Sequence, residues 1–205
     1  MGYKGKKSGI SKLEYANYLA ASLSYFMTQQ RDGPGLVTVD NKIVNLIPAS
    51  MKAGQLHTIL MTLEKGLLGT VSNLSVPLHH LAEIYAKRGI IILITDLMDD
   101  EEGIRSAFKH MRFKGHEVIV FHIMDYDEIE FPFSGLSRFE EMETNKEMLT
   151  LPDALRASYV KNVNNFIASW KMECRKMDID YVLLNTAKPL DFALMSYLAK
   201  RSGLM

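Results

Sequence analysis

The chain has 205 residues, with 24 basic and 24 acidic side chains and a formal net charge of zero. This length allows one substantial hydrophobic core but not two average ones, so we expect a single domain over residues 1–205. The balanced charge argues against a nucleic-acid-binding protein, in which Lys and Arg normally cluster in excess. The one basic cluster, Lys4, Lys6 and Lys7, lies in a glycine-containing N-terminal segment that is predicted to be a solvated, mobile end.

The single cysteine favours a protein of a reducing compartment, and the short apolar runs argue against a membrane-spanning or secreted protein. Cys174 is the only cysteine, so no intramolecular disulfide framework can form. The longest apolar run, residues 90–94, is far shorter than the roughly 20 residues that cross a bilayer. The N-terminal lysines are not followed by the apolar segment of a signal peptide. We therefore expect a cytoplasmic protein that binds neither membrane nor nucleic acid.

Apolar residues recur every three or four positions in several segments, which predicts amphipathic helices. In chain order, these helices cover residues 12–30, 53–65, 75–88, 101–113, 154–177 and 190–201. Ser11 is the expected N-cap of the first helix, and Pro77 fits the first turn of the third. Trp170 and Cys174 belong to the apolar stripe of the fifth helix, so both are predicted to lie in the core, with Cys174 an inert thiol.

Strands are predicted between these helices. Residues 36–39 and 43–47 are typical of a tight hairpin, and residues 139–142 and 147–151 of a small inserted hairpin. Residues 89–95 and 117–123 are apolar at consecutive positions, which indicates parallel strands covered on both faces, and residues 181–184 predict a further strand. The alternation predicts an α/β fold with a mostly parallel sheet, helices on both faces and one antiparallel edge strand. The 89–95 strand is expected near the centre of the sheet.

Ligands in such sheets bind at the carboxyl ends of the strands, which directs attention to the loops that follow them. Asp96 comes directly after a buried strand and could approach a hard cation such as Mg²⁺, although a structural role is equally expected. For the acidic run from Asp99 to Glu102, the favoured interpretation is that Asp99 or Asp100 caps the next helix and that the acidic charges stabilise its N-terminal dipole. The hydroxyls of Thr70 and Ser72 could ligate a cation or cap the helix that follows, and capping is favoured on sequence chemistry alone.

Recognisable catalytic patterns are absent from the sequence. It contains no Gly-x-Gly-x-x-Gly, no Gly-x-Ser-x-Gly and no His-Glu-x-x-His. His79 and His80 are adjacent on a predicted helix and point in different directions, so they cannot jointly hold a metal without other ligands. We expect both histidines at the surface or against a partner.

Six segments in consistent order and spacing resemble one protein family over residues 11–201. They are Ser11-Lys12-Leu13-Glu14-Tyr15-Ala16, Gly35-Leu36-Val37, Arg88-Gly89-Ile90-Ile91 with Thr95-Asp96-Leu97, His116-Glu117-Val118-Ile119-Val120-Phe121-His122, Glu130-Phe131-Pro132-Phe133 and Asp180-Tyr181-Val182. The chain resembles the domain-of-unknown-function 58 (DUF58) family, a bacterial and archaeal branch of the von Willebrand factor A superfamily. The resemblance implies a Rossmann-like sheet with a metal-ion-dependent adhesion site at its top.

In that superfamily the adhesion site combines an Asp-x-Ser-x-Ser motif after the first strand, a threonine from a later loop and an aspartate after the next strand. By resemblance, Asp96 is the last element, and Thr70 or Ser72 is the hydroxyl ligand. Met1 matches the methionine just after the motif, so the first central strand and three ligands are expected to be missing from an N-terminally truncated chain. The two ligands that remain predict weak Mg²⁺ binding or none. Neighbours of the missing strand are expected to have unpaired backbone.

By resemblance, the expected function is a non-enzymatic protein-interaction module. It would act with a MoxR-type AAA+ ATPase in chaperone-like assembly or maturation of an unknown client protein. The alternative is a metal-dependent hydrolase that uses the strand-end carboxylates Asp96, Asp99 and Asp125. A third interpretation makes the inserted hairpin, residues 139–151, the docking surface and leaves the metal site without a role.

Overall fold

The computed structural model describes residues 1–66, 73–85, 87–135, 137–140, 147–150 and 152–191. Helices and strands alternate along most of this part of the chain, as the sequence predicts. The helices are α1 (Lys12–Gln29), α2 (Gln55–Glu64), α3 (Ser75–Ile84), α4 (Glu101–Phe113), α5 (Tyr126–Glu130) and α6 (Pro152–Lys176). The strands are β1 (Leu36–Val39), β2 (Ile43–Ile47), β3 (Ile90–Thr95), β4 (Glu117–Met124), β5 (Ser137–Glu140), β6 (Glu147–Thr150) and β7 (Asp180–Asn185).

Three strands form the main sheet, in the order β3-β4-β7, and the sheet is parallel. β4 and β7 are paired from Ile119 opposite Asp180 to Met124 opposite Asn185, so both strands end at the same edge of the sheet. β1 and β2 make an antiparallel two-stranded sheet of their own, and β5 and β6 make another. The predicted α/β class with a parallel sheet and two hairpins is confirmed. The early hairpin forms a separate sheet, however, and does not supply an edge strand to the parallel one.

The described residues fall into two compact units. The first comprises residues 1–15, 92–96 and the described residues from Ile119 onward. In this unit α6 packs against β7 and α5. The side chains of Trp170 and Cys174 are fully buried there, as predicted, and burial raises the pKa of the Cys174 thiol to about 12. The Cys174 thiol is therefore inert at neutral pH.

The second unit comprises residues 16–91 and 97–118, except those outside the described ranges. α3 packs against α4, and the core of this unit includes Ile59, Leu78 and Phe108, none of which is more than 2% exposed. Across all described residues, no helix is long and apolar enough to span a membrane.

The observed boundaries correct several sequence-based expectations. α3 ends at Ile84 and not at residue 88, because Tyr85 leaves the helical conformation and its carbonyl oxygen accepts a hydrogen bond from His116 Nε2 at 3.0 Å. β3 was expected near the sheet centre. Among the described strands it pairs only with β4, and Ile90 is 50% exposed. Most of the predicted C-terminal helix, from residue 192 on, lies outside the described residues.

The N-terminal segment also differs from its prediction as a solvated, mobile end. The phenol of Tyr3 and the backbone amide of Lys6 both donate to Asp127 Oδ2, at 3.2 and 3.3 Å, and Gly5 is buried. The side chains of Lys4 and Lys6 do lie in solvent. The charge of the lysines correctly predicted that their side chains are exposed to solvent. The backbone of the segment, in contrast, packs against residues that follow β4.

Candidate functional site

The candidate site lies at the carboxyl ends of the three parallel strands, within the first unit. Asp96 follows β3, Asp125 follows β4 and Thr186 follows β7. Parallel strands bring their carboxyl ends to one edge of a sheet, and ligands of open α/β sheets bind there. The N-terminal segment and the first turn of α1 supply the remaining polar groups.

Asp125 is a fully buried carboxylate with four hydrogen-bond donors. Oδ2 accepts from the Thr186 hydroxyl at 2.6 Å, the Ser8 hydroxyl at 2.9 Å and the Gly5 amide at 3.3 Å, while Oδ1 accepts from the Asp127 amide at 2.9 Å. Burial raises the pKa of Asp125, but these donors outweigh burial and hold its pKa below the usual value. The carboxylate is therefore ionised at neutral pH and has its main acceptor positions filled.

Asp125 also begins α5. Its side chain and that of Glu128 form a capping box, in which Glu128 Oε2 accepts from the Asp125 amide at 2.8 Å. The same Glu128 side chain turns its other oxygen, Oε1, toward Lys12. The short helix thereby connects the Asp125 cluster to the residues around Asp96.

Asp96 is neutralised by a buried lysine. Lys12 Nζ lies 3.0 Å from Asp96 Oδ2 and 2.7 Å from Glu128 Oε1, and the α-amino group of Met1 lies 2.9 Å from Asp96 Oδ2. Burial raises the pKa of Asp96, but the Lys12 ammonium and the Met1 amino group together outweigh that effect, and the net pKa is below the usual value. Burial lowers the pKa of Lys12, and the two carboxylates raise it above its usual value overall. Lys12 and Asp96 are therefore both charged at neutral pH.

His122 supports the end of β3 from within the sheet. Its Nε2 lies 3.0 Å from the Asp96 carbonyl oxygen, which can only accept, so Nε2 carries the proton. Nδ1 then accepts from the Tyr181 hydroxyl at 2.6 Å. Burial lowers the pKa of His122 to about 4, so the ring is neutral at physiological pH and fixed in one tautomer.

A pocket of about 320 Å³ opens on the β7 side of this cluster. Lys7, Lys188 and Glu130 bring charge to it, and Leu183 brings apolar surface. The Lys7 ammonium lies 3.7 Å from the centre of the Tyr126 ring, a cation–π contact. The volume is at the small end of the range found for ligand pockets.

The structure brings together only some of the predicted site residues. Asp96 and Asp125 belong to one cluster, whereas Asp99 belongs to the second unit, where its Oδ2 accepts from the Leu74 amide at 2.8 Å. Thr70 and Ser72 lie outside the described residues. Asp100 is the N-cap of α4, but its side chain makes no capping hydrogen bond, which corrects the capping role expected for it.

The Mg²⁺ ion that the resemblance implies does not fit the described residues. The Lys12 ammonium already occupies Asp96 Oδ2, and four donors occupy Asp125. In the described ranges, no group of three or more His, Cys, Asp or Glu residues could hold a metal ion.

The neighbouring histidines take different environments in the second unit. His80 is exposed, as expected, while His79 is half-buried and its Nδ1 lies 3.1 Å from His110 Nδ1 of α4. One of these two nitrogens must carry a proton for the contact to be a hydrogen bond. His79 thus joins α3 to α4.

Comparison with known proteins assigns the family. The model of the family described as "Protein of unknown function DUF58" matches residues 3–166. The chain belongs to the DUF58 family. A search of curated proteins finds no match.

Two solved structures share the fold of this DUF58 protein. One is described as an aerotolerance-related membrane protein from Bacteroides fragilis with multiple mutations to serines; it is 16% identical, with a TM-score of 0.55 over 86% of this chain and 83% of that chain. The other, conserved hypothetical protein BatB from Bacteroides thetaiotaomicron, is also 16% identical, with a TM-score of 0.56 over 93% and 89% of the two chains. These similarities support the α/β architecture.

Sequence reasoning missed most of the groups that bond to the two aspartates. Lys12 was predicted only to begin the first helix and was part of a segment that carries the family resemblance, and Ser8 and Thr186 were assigned no role. One signal was available, because Asp125 followed three residues later by Glu128 is the pattern of a capping box and predicts a helix start at that point.

Proposed function

We propose that this DUF58 protein is a non-enzymatic protein-interaction module with a von Willebrand factor A-like domain. It acts in the cytoplasm with a MoxR-type AAA+ ATPase, in chaperone-like assembly or maturation of a client protein. The proposal combines the family membership with the bonding of the strand-end residues and the exposed surface of α1.

The bonding of the strand-end carboxylates carries the proposal. A general acid or base works best with a pKa near the operating pH and with a position open toward substrate. Asp96 and Asp125 have the opposite properties, since their pKa values are lowered and their oxygens are bonded to groups of the same chain. Such carboxylates hold secondary-structure elements together. Their bonding therefore favours a scaffold that presents a binding surface, rather than a catalytic site.

The exposed face of α1 is a candidate partner surface. Tyr18 and Tyr25 are 59% and 50% exposed and stand seven residues apart, which is two helical turns on one face. The ring of Phe26, 42% exposed, packs edge-on against Tyr25 with 6.0 Å between the ring centres. Exposed large apolar side chains in one place mark interaction sites, and Tyr is enriched among the residues that dominate binding energy.

The test is a binding measurement between the full chain and a MoxR-type AAA+ ATPase encoded in the same genome. Replacing both Tyr18 and Tyr25 by Ala is expected to weaken binding at least tenfold, because truncating a central interface residue typically costs about 2 kcal/mol. Met172, a 53% exposed residue of α6, offers a matched control, since Met172→Ala removes a similarly exposed apolar side chain from the other unit. Absence of binding, or equal effects of the two variants, would contradict the proposal.

Two further assays separate this function from its alternatives. Deleting residues 139–151 abolishes binding if the inserted hairpin is the docking surface, and leaves it intact if the α1 face is. Hydrolysis of generic phosphoester or ester substrates with Mg²⁺ or Mn²⁺, present in the natural sequence and lost in Asp96→Ala, would establish the hydrolase in place of the interaction module.

A further inference from the structure

Lys12 is a buried cation held between two carboxylates. Its side chain is 3% exposed, and lysine is almost never buried to that degree unless its charge is paired. The ammonium contacts Asp96 from the end of β3 at 3.0 Å and Glu128 from α5 at 2.7 Å. A single positive centre thus joins carboxylates from two elements, as a divalent cation with carboxylate ligands can.

The first turn of α1 holds this lysine in place. Ser11 Oγ accepts from the Glu14 amide at 3.1 Å, and Glu14 Oε2 accepts from the Ser11 amide at 2.7 Å, so a capping box defines the start of the helix. The Lys12 amide donates to the Tyr3 carbonyl at 3.0 Å. The backbone of Lys12 is therefore tied on both sides, and its ammonium is directed to the strand end by the fold.

A divalent ion and this ammonium compete for the same position. Mg²⁺ binds oxygens at about 2.0–2.1 Å and needs lone pairs that Lys12 now engages. The positive charges also repel each other strongly where burial limits screening by solvent. Asp125 cannot substitute as a ligand without losing hydrogen bonds from Thr186, Ser8 and two backbone amides.

We propose that the Lys12 ammonium is the resident cation of the strand-end site in this chain and takes the place of a divalent metal ion. Asp96 and Glu128 hold this ammonium as two carboxylate ligands would hold a metal ion. The site is therefore organised without metal. With the Lys12 ammonium removed, the Met1 amino group is the only cation of the described residues that stays beside Asp96, and the Asp96 and Glu128 carboxylates become able to bind a hard divalent cation. This inference is independent of the proposed partner.

The experiment measures Mn²⁺ binding by electron paramagnetic resonance and thermal unfolding with millimolar MgCl₂, against NaCl of equal ionic strength, on the full chain. The natural sequence is expected to bind no Mn²⁺ and to show the same Tm in both salts. Lys12→Met is expected to lower Tm, to gain Mn²⁺ binding and to recover part of the lost Tm in MgCl₂ by mass action. Lys12→Met combined with Asp96→Asn is expected to lose both responses.

Lys6→Met is the matched control, because Lys6 has an exposed side chain in the same N-terminal segment. We expect Lys6→Met to have the Tm of the natural sequence in both salts and to bind no Mn²⁺. Mn²⁺ binding by the natural sequence that disappears in Asp96→Asn would overturn the inference, and so would a folded Lys12→Met variant that ignores both ions. If Lys12→Met fails to fold, Lys12→Arg replaces it, because arginine keeps a cation at the site. The Tm of Lys12→Arg is then expected to be the same in MgCl₂ and NaCl. A rise in its Tm in MgCl₂ that disappears when Asp96→Asn is added would refute the inference.

Discussion

Acidification should destabilise the protein through His122, which is neutral in the folded state. Burial lowers its pKa from the usual 6.5 to about 4. Between these two pH values the unfolded chain binds a proton at His122 and the folded chain does not. The stability contributed by the neutral ring is thus fully present above pH 6.5 and is lost progressively as the pH falls toward 4.

The size of the loss follows from the same two values. Each pH unit in this window costs about 1.4 kcal/mol for one proton, so His122 alone accounts for a loss of about 3 kcal/mol between pH 6.5 and pH 4. This is a substantial share of the roughly 5–15 kcal/mol by which a typical domain is stable. The physical reason is that protonation at Nδ1 would remove the acceptor of the Tyr181 hydroxyl and place a charge at a fully buried position.

Urea unfolding at a series of pH values measures this effect. His122→Gln cannot titrate, so its free energy of unfolding, although lower at pH 7.5, should fall less steeply than that of the natural sequence between pH 6.5 and 4. His80→Gln removes an exposed histidine and should follow the natural sequence throughout. Equal pH slopes for the natural sequence and His122→Gln would show that His122 titrates alike in the folded and unfolded states, and would contradict this prediction.

Two further predictions concern the buried Asp125 carboxylate. Thr186→Val keeps the shape of the side chain but removes the 2.6 Å hydrogen bond to Asp125, so it should lower the free energy of unfolding in urea by about 1.5–3 kcal/mol. Thr186→Ser keeps the hydroxyl and should retain most of that free energy. Equal losses in the two variants would argue against this hydrogen bond. Gly5→Ala should destabilise the chain, because its methyl group would overlap the Asp125 carboxylate. Gly89→Ala should have a much smaller effect, because a methyl group at Gly89 would meet no atom within 4 Å. A Gly5→Ala variant as stable as the natural sequence would mean that the N-terminal segment does not pack as described.

Local patterns in the sequence predicted much of the fold. The hairpin of β1 and β2 has the predicted bounds, since β-branched residues on both sides of a short polar turn define it within a dozen residues. α1 begins where Ser11 predicts, because the capping box is contained in four residues. Asp96 was singled out correctly as a strand-end carboxylate by its place after an apolar run.

Contacts between distant segments account for what the sequence did not predict. The pairing of Lys12 with Asp96 joins a helix start to a strand end, and no periodicity connects the two. The N-terminal segment was expected to be mobile because its glycines and lysines favour solvent, yet its backbone amides donate to Asp125 and Asp127. β3 was expected at the sheet centre and covered on both faces because of its apolar run. Ile90 is exposed and the next four residues are only half-buried, since β3 pairs with β4 alone among the described strands.

The most direct test of the central claim, that the strand-end carboxylates are bonded scaffold groups and not catalysts, is a pH titration of the Asp side chains by carbon-13 NMR. Asp96 and Asp125 are predicted to titrate below the usual 3.8, since Lys12 and the hydrogen-bond donors stabilise their ionised forms. A catalytic acid would instead have a pKa raised toward neutrality. Lowered pKa values for both residues would support the account, and a pKa of about 6 or higher for either one would contradict it.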